Sequence, residues 1–153
     1  LVGGGFPVGV VAGRAAIMAA LDPNRPDALA HGGTFAAGPL PMAAGAEALA
    51  LLDGAAVARL NALGDGFRAE LAAALADRPD WQVRGFGSLA RILPAAGGAA
   101  RSRALWRACY AAGVLTTPSG LMALATPMTA AELSDAAGRI AEAARGLAPE
   151  ADG

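Results

Sequence analysis

Apolar residues recur at helical spacing through two long stretches of the chain. Over residues 54–76, apolar side chains three or four positions apart predict a helix with one buried stripe. That stripe consists of Val57, Leu60, Phe67, Leu71 and Leu75. Residues 129–147 predict another helix, in which Thr129 and Glu132 form a capping box that satisfies backbone N–H groups of the first turn. Its inward residues are Leu133, Ala136, Ile140 and Leu147.

The segment between these helices shows shorter apolar runs broken by turn residues. Residues 81–93 predict two strands joined through a Gly-Phe-Gly bend, and residues 114–127 predict two strands around a Pro-Ser-Gly turn. A helix over residues 101–113 lies between them, with Leu105 and either Ala108 or Cys109 inward. The order β-β-α-β-β-α predicts a compact α+β unit with a small antiparallel or mixed sheet, covered by helices on one face.

The first part of the chain is more irregular. Residues 6–12, FPVGVVA, predict a short buried strand, and residues 14–20 a short helix; a turn cluster follows at 22–27. A helix over about 40–52 is apolar almost all round, which predicts that it is buried. A single strand without a partner is not stable alone. We therefore expect residues 1–38 to be the end of a larger α/β domain, and residues 39–153 to be a small α+β domain with a long connecting helix.

Composition and charge narrow the range of functions. The 153 residues are 55% hydrophobic and 16% charged, which is a globular composition, and the net charge is −1 with no basic cluster. Nucleic acid and anionic membranes are therefore poor candidates as partners, and we expect no membrane span. The one cysteine, Cys109, excludes an internal disulfide and is consistent with a reducing, cytoplasmic location. His31 is the only histidine, so we expect no histidine-based metal cluster.

Lysine is missing from the sequence. All twelve basic residues are arginine. Chemistry that needs an amine nucleophile, such as formation of a Schiff base, has no lysine side chain to perform it here.

Three ordered motifs resemble one family. GGGFPVGVVAGR at 3–14, HGGTFAAGPLPMAAG at 31–45 and GVLTTPSGLMALATPMT at 113–129 are similar to class III pyridoxal-phosphate aminotransferases, and within them to glutamate-1-semialdehyde 2,1-aminomutase and its transaminase relatives. The resemblance covers nearly the whole chain. It implies an α/β protein: the C-terminal part of a pyridoxal-phosphate-dependent transferase of fold type I, comprising the tail of the large domain and the small α+β domain.

The resemblance also implies where the cofactor chemistry lies. In the family the glycine-rich segment follows the lysine that forms the Schiff base, so that lysine would come immediately before Leu1, and the chain would begin just after the catalytic amine of a longer enzyme. In the family, the threonine of the motif matched by residues 31–35 contacts the cofactor phosphate across a dimer interface. Thr34 would then serve the neighbouring subunit's site in a homodimer, with Gly33 permitting close approach; His31 is expected to hold local structure.

Two positions depart from the family pattern. Gly38 precedes Pro39 where the family usually has asparagine, and Met122 stands where strict aminomutases have an acidic residue. A general transaminase therefore fits as well as an aminomutase. Arg91 could read a substrate carboxylate, because guanidinium binds carboxylate in a bidentate manner.

Two function hypotheses follow. In the first, the chain is a segment of a pyridoxal-phosphate enzyme that moves an amino group on an amino acid or amino aldehyde, and it is inactive alone because the lysine is missing. In the second, it is a non-catalytic module for dimerisation or interaction. A nucleotide-type phosphate loop is disfavoured, because residues 3–9 have neither the GxxxxGK[ST] nor the GxGxxG spacing.

Overall fold

A computed structural model describes residues 3–34, 36–96 and 98–149. The chain divides into two compact units, Leu1–Gly54 and Ala55–Gly153. The predicted functional boundary after residue 38 stays a prediction. The composition of residues 148–153, APEADG, predicts a frayed C-terminal tail, and the last four of these residues lie outside the described ones.

The first unit consists of two helices and irregular loops. Helix α1 spans Ala15–Met18 and continues as a 3₁₀ turn over Ala19–Leu21, which confirms the short predicted helix. The predicted turn at residues 22–27 is also confirmed, since the Asp22 carboxylate accepts a hydrogen bond from the Asn24 backbone N–H at 3.0 Å. Helix α2 spans Pro39–Leu51.

Two predictions for the first unit are wrong. Residues 6–12 form no strand and are mostly exposed, because no neighbouring strand among the described residues completes their hydrogen bonds. Helix α2 is apolar almost all round as predicted, with Glu47 its one charged residue, but only Gly45 is buried in it. Its exposed apolar side chains are Leu40, Met42, Leu49 and Leu51. The apolar composition therefore predicted the helix correctly but did not predict whether the helix is buried within this unit.

The second unit places three helices on one face of a three-stranded antiparallel sheet. Helix α3 spans Gly54–Ala74, α4 spans Gly98–Ala111 and α5 spans Ala130–Arg145. The strands are β1 (Trp81–Phe86), β2 (Leu89–Pro94) and β3 (Leu121–Ala123), in the spatial order β1-β2-β3. The sheet and its helical cover confirm the predicted α+β unit.

The core of this unit follows the predicted helical stripes. Phe67 and Leu71 of α3, with Leu75 just beyond it, meet Leu105 and Cys109 of α4 in one buried cluster. Val57, at the start of the predicted stripe, is exposed instead. From α5 and the sheet, the buried residues are Leu133, Ala137, Ile140, Ala141, Ala144, Ala90 and Ile92. The capping box is confirmed, since the Glu132 N–H donates to the Thr129 hydroxyl and the Thr129 N–H to the Glu132 carboxylate.

The predicted pair of strands over residues 114–127 is only half correct. Residues 121–123 form β3, which pairs with β2 so that Met122 lies opposite Ala90. Residues 114–117 form no strand, because Thr117 turns the chain back on itself: its hydroxyl accepts from the Leu121 N–H at 2.9 Å and donates to the Leu121 carbonyl oxygen at 3.1 Å. Side-chain hydrogen bonds of this kind compete with strand pairing.

No single helix within the described residues is long and apolar enough to cross a membrane, and only the broken pair α2 with α3 meets that length and composition jointly.

Candidate cofactor-binding site

The glycine-rich loop before α2 is shaped by its own backbone. The Gly33 carbonyl oxygen accepts a hydrogen bond from the Ala36 N–H at 2.9 Å. Ala37 has a φ of 56°, in the left-handed region that few non-glycine residues adopt, and Gly38 is the N-cap of α2. Backbone geometry of this kind is costly and occurs often at ligand sites. It makes this loop the candidate site of the first unit.

A concavity of about 760 Å³ opens beside this loop. Its lining consists of Pro7, Val8, Gly9, His31, Gly32, Gly33, Thr34, Ala36, Ala37 and Met42. Both predicted site residues, Gly33 and Thr34, therefore lie in one cavity wall together with His31. The sequence did not identify residues 7–9 as part of this lining; the signal available was that they lie within the glycine-rich first motif.

The loop offers hydrogen-bond donors to an oxyanion. The backbone N–H groups of Gly32, Gly33 and Thr34, and the Thr34 hydroxyl, have no hydrogen-bond partner among the described residues. A Cβ built on Gly32 or on Gly33 would meet nothing within 4 Å, so open space lies beside these N–H groups. Successive N–H groups next to a concavity can bind a phosphate. The loop thus fits the phosphate end of a phosphorylated cofactor.

The N-terminus of helix α2 offers an anion fewer backbone N–H donors than most helix N-termini do. Helix N-termini bind anions through their unpaired N–H groups, but Pro39 and Pro41 have none. Oxyanion binding here consequently depends on the loop and on the hydroxyl of Thr34. None of the described residues that line the cavity is a lysine or an arginine.

The remaining candidate residues lie elsewhere. Arg91 is on the exposed face of β2 in the second unit, and Met122 packs partly buried against that unit's core. Cys109 is fully buried, and burial raises the pKa of its thiol to about 11. In the part of the chain that the structure describes, no three His, Cys, Asp or Glu side chains are grouped so that they could hold a metal ion.

Comparison with known proteins defines the class. The sequence profile of the family described as Aminotransferase class-III matches residues 1–143. The chain belongs to the class-III aminotransferase family.

Particular relatives include both activities that the motifs suggested. Glutamate-1-semialdehyde 2,1-aminomutase of Halobacterium salinarum is 33% identical over 139 residues, which cover 90% of this chain and 30% of that protein. An uncharacterized aminotransferase of Schizosaccharomyces pombe is 41% identical over 92 residues, covering 60% of this chain and 21% of the relative.

Solved structures agree with this family assignment. A transaminase with PLP bound superposes with a TM-score of 0.84 at 32% identity, covering 94% of this chain and 36% of that chain. An omega-transaminase from Sphaerobacter thermophilus superposes with a TM-score of 0.82 at 35% identity, covering 95% of this chain and 37% of that chain. The chain therefore has part of the fold of a pyridoxal-phosphate transaminase and spans roughly a third of the length of these structures.

Family membership and the PLP-bound neighbour imply pyridoxal phosphate as the cofactor. The residues present fit one end of it. The loop of residues 32–34 fits the phosphate, whereas the aldehyde carbon needs an amine, and the sequence contains no lysine to supply one.

Proposed function

We propose that this chain supplies the phosphate-binding loop and the small domain of a pyridoxal-phosphate enzyme that moves an amino group on an amino acid or amino aldehyde. The observation that supports this most directly is the hydroxyl of Thr34, which lies unpaired beside two open glycine N–H groups in a cavity wall. The predicted cytoplasmic location stays a prediction.

The role proposed for this chain in the chemistry is to position the cofactor. When bound, pyridoxal phosphate supplies the electron sink for chemistry at the amino-bearing carbon. Thr34 would donate its hydroxyl proton to a phosphate oxygen, and the N–H groups of Gly32 and Gly33 would donate to others. Hydrogen bonds to a charged oxygen are about twice as strong as neutral ones. They would fix the cofactor's orientation without reacting themselves.

We further propose that the chain alone does not catalyse amino transfer. The nucleophile of such enzymes is an amine of depressed pKa, and none of the side chains in this sequence is a lysine. Arginine cannot replace it, because the guanidinium group stays protonated at any physiological pH.

A homodimer in which Thr34 serves the neighbouring subunit's site is the assembly we propose. Apolar side chains are exposed across the first unit, at Phe6, Val10, Val11, Ile17, Leu29, Leu40 and Leu49. Exposed apolar surface of this extent is typical of a binding interface. Both the loop of residues 31–38 and these side chains would gain from a second copy.

Met122 bears on the choice between transaminase and aminomutase. It is partly buried and packs against the core. A thioether cannot transfer a proton as a carboxylate can, so a transaminase is the activity we propose for the parent site.

Calorimetric titration of the chain with pyridoxal phosphate tests the phosphate-binding role. We expect saturable binding, and Thr34→Val should weaken it by roughly tenfold, which is the loss expected for one hydrogen bond to a charged group. Thr126→Val is the matched control, because Thr126 is exposed and outside the cavity lining. Equal affinity of the Thr34→Val and unaltered chains would contradict the proposal.

The inactivity of the chain is tested separately. With pyridoxal phosphate, an L-amino acid donor and a 2-oxo acid acceptor, product should form no faster than with free cofactor. Adding glycine or methylamine as an external amine gives no specific acceleration if the chain only binds phosphate. Turnover above the free-cofactor rate would show that another group acts as the nucleophile.

The second candidate, a non-catalytic interaction module, is favoured by the second unit having a buried core of its own. Hydrogen exchange separates the two candidates. Protection confined to residues beyond about 40 supports an independent small domain, whereas protection of residues 6–12 as well supports assembly with a partner, since these residues are mostly exposed in the single chain.

A further inference from the structure

A second concavity, of about 450 Å³, lies in the second unit, and its lining includes neither Gly33 nor Thr34. It is bounded by the outer end of β2, by the first turns of α4 and by the turn that precedes β3. Two arginines line it, Arg91 and Arg103, together with an apolar wall that includes Leu93 and Pro118. We refer to it as the arginine cleft.

No carboxylate of the described residues pairs with either arginine of the arginine cleft. Arg91 donates through Nε to the Ser119 carbonyl oxygen at 3.0 Å, which leaves its two terminal nitrogens without a partner among the described residues. Arg103 has no hydrogen bond or ion pair within that same part of the chain. By contrast, Arg68, Arg78, Arg101, Arg139 and Arg145 of this unit each contact a carboxylate.

A third arginine adds to the positive potential. Arg84 of β1 lies directly opposite Arg91 in the antiparallel register, so both side chains extend from the same face of the sheet. The Arg84 guanidinium is held by the neutral Gln82 side chain, at 2.8 and 3.2 Å, and not by an acid. Like charges directly opposite each other destabilise a sheet. A bound anion would relieve this repulsion.

Among the described side chains that line the cleft, the two guanidinium groups have N–H donors free for a ligand. Ser102 donates its hydroxyl proton to the Gly98 carbonyl oxygen at 3.3 Å. Ser119 shares a hydrogen bond of 3.0 Å with the Thr117 hydroxyl, whose proton is already donated to Leu121. Ser119 must then be the donor to Thr117. The side chains of the cleft therefore offer a ligand two guanidinium forks beside an apolar wall.

We propose that the arginine cleft binds the carboxylate of a small organic acid, with Arg91 and Arg103 on the carboxylate and the apolar part of the acid against Leu93 and Pro118. A guanidinium fork matches the two oxygens of a carboxylate. The apolar wall favours an acid with a hydrocarbon body over an inorganic anion, because burying that body adds hydrophobic stabilisation. This site needs no pyridoxal phosphate, and it can be tested without the cofactor.

Titration of the full chain with sodium hexanoate tests the proposal, with NMR detection of the arginine Nε–H groups and of backbone amides at constant ionic strength. Saturable shifts should appear at Arg91, Arg103 and Ser119. Replacing either arginine, in Arg91→Gln or Arg103→Gln, should weaken binding roughly five- to tenfold. Arg91→Lys should also weaken it, because lysine keeps the charge but not the fork.

Arg107→Gln is the matched control. Arg107 lies one turn beyond Arg103 on α4, is exposed and does not line the cleft, so its loss should leave hexanoate binding unchanged. Circular dichroism of each variant identifies any loss of fold. Equal weakening by Arg107→Gln would show general charge attraction and overturn the proposal.

Two further probes define the ligand. Neutral 1-hexanol should not bind saturably, and inorganic phosphate should bind more weakly than hexanoate. If hexanol binds as tightly as hexanoate, the cleft is an apolar groove. If phosphate binds as tightly as hexanoate, the cleft is a site for inorganic anions. If hexanoate gives no saturable shift, the cleft is not a binding site for it. Each of these three results contradicts the proposal.

Discussion

A Cβ built on Gly64 of α3 would lie 2.0 Å from the carbonyl oxygen of Gly87, in the turn between β1 and β2. The helix and the hairpin therefore pack backbone against backbone at this point. Arg68, one turn further along α3, donates to the same oxygen at 2.5 Å. These contacts set the distance between α3 and the sheet.

Gly64→Ala should destabilise the second unit by about 1–3 kcal/mol, because the methyl group forces the helix and the turn apart. Gly66→Ala is the control on the same helix, since a Cβ there meets nothing within 4 Å. That change should be neutral or stabilise by up to about 1 kcal/mol through helix propensity. Denaturant unfolding measures both, and equal midpoints for the two variants would contradict the packing described.

Thr129→Ala should lower the free energy of unfolding by about 1 kcal/mol, because it removes the capping hydrogen bond to the Glu132 N–H. Thr126, three residues earlier in an exposed turn, makes no side-chain hydrogen bond to any described residue, so Thr126→Ala should change the free energy of unfolding by less than about 0.5 kcal/mol. Thermal unfolding followed by circular dichroism compares the two, and a loss of similar size in both would argue against a specific cap.

Asp80 links α4 to the start of β1. It accepts from Arg78 at 2.8 and 2.9 Å and also contacts Arg101, whose guanidinium lies 4.9 Å from the centroid of the Trp81 ring. The hydrogen bonds from Arg78, aided by the charges of Arg78 and Arg101, lower the pKa of Asp80 although partial burial opposes this. Asp80→Asn should lower the free energy of unfolding by about 1–3 kcal/mol at neutral pH.

The pH dependence of that cost follows from the lowered pKa. Stability from Asp80 is present above the unfolded pKa of about 3.9 and is lost as the pH falls through the lower folded pKa. The unaltered chain and Asp80→Asn should thus converge in stability on acidification below about pH 4. Asp135→Asn, which breaks an exposed ion pair with Arg139, is the control and should lower the free energy of unfolding by less than about 1 kcal/mol. A constant difference between the unaltered chain and Asp80→Asn at every pH would contradict this account.

Cys109 should react with a thiol reagent at pH 8 only when the second unit opens. It has no exposed surface, and burial raises the pKa of its thiol to about 11. We expect labelling of the native chain to be slower by orders of magnitude than labelling in denaturant. Native labelling at the denatured rate would contradict burial.

The same pKa predicts weaker folding in alkali. The unfolded thiol ionises near pH 8.5 and the folded one near 11, so stability falls as the pH rises between these values. Cys109→Ala should remove that part of the fall while lowering stability at neutral pH.

Local patterns predicted the helices well because their causes are local. Helix α5 begins with the Thr129 and Glu132 cap, and α3 contains Phe67 and Leu71 at helical spacing; both signals lie within a few residues of what they determine. Strand predictions were weaker. Residues 6–12 and 114–117 have strand-like composition, but a strand also needs a partner, and local composition does not supply one.

The residues of the two candidate sites likewise divide into those that the sequence indicated and those that became evident only from the fold. Residues 31–35 identified Thr34 through resemblance to a family, while the part of the cavity lining formed by residues 7–9 became evident only from the fold. Arg91 was noted for its guanidinium alone. Arg103 gives no such signal, because eleven residues and a change from strand to helix separate it from Arg91.

The sequence by itself determined the helices, the capping box, the family and the absence of a lysine amine, since each depends on residue identity or on spacing within one element. Only the tertiary structure decided that β3 pairs with β2, that Gly64 meets Gly87 and that Arg91 and Arg103 line one cleft. These are contacts between distant parts of the chain, and their free energy depends on which surfaces meet as the chain folds, which no local pattern specifies.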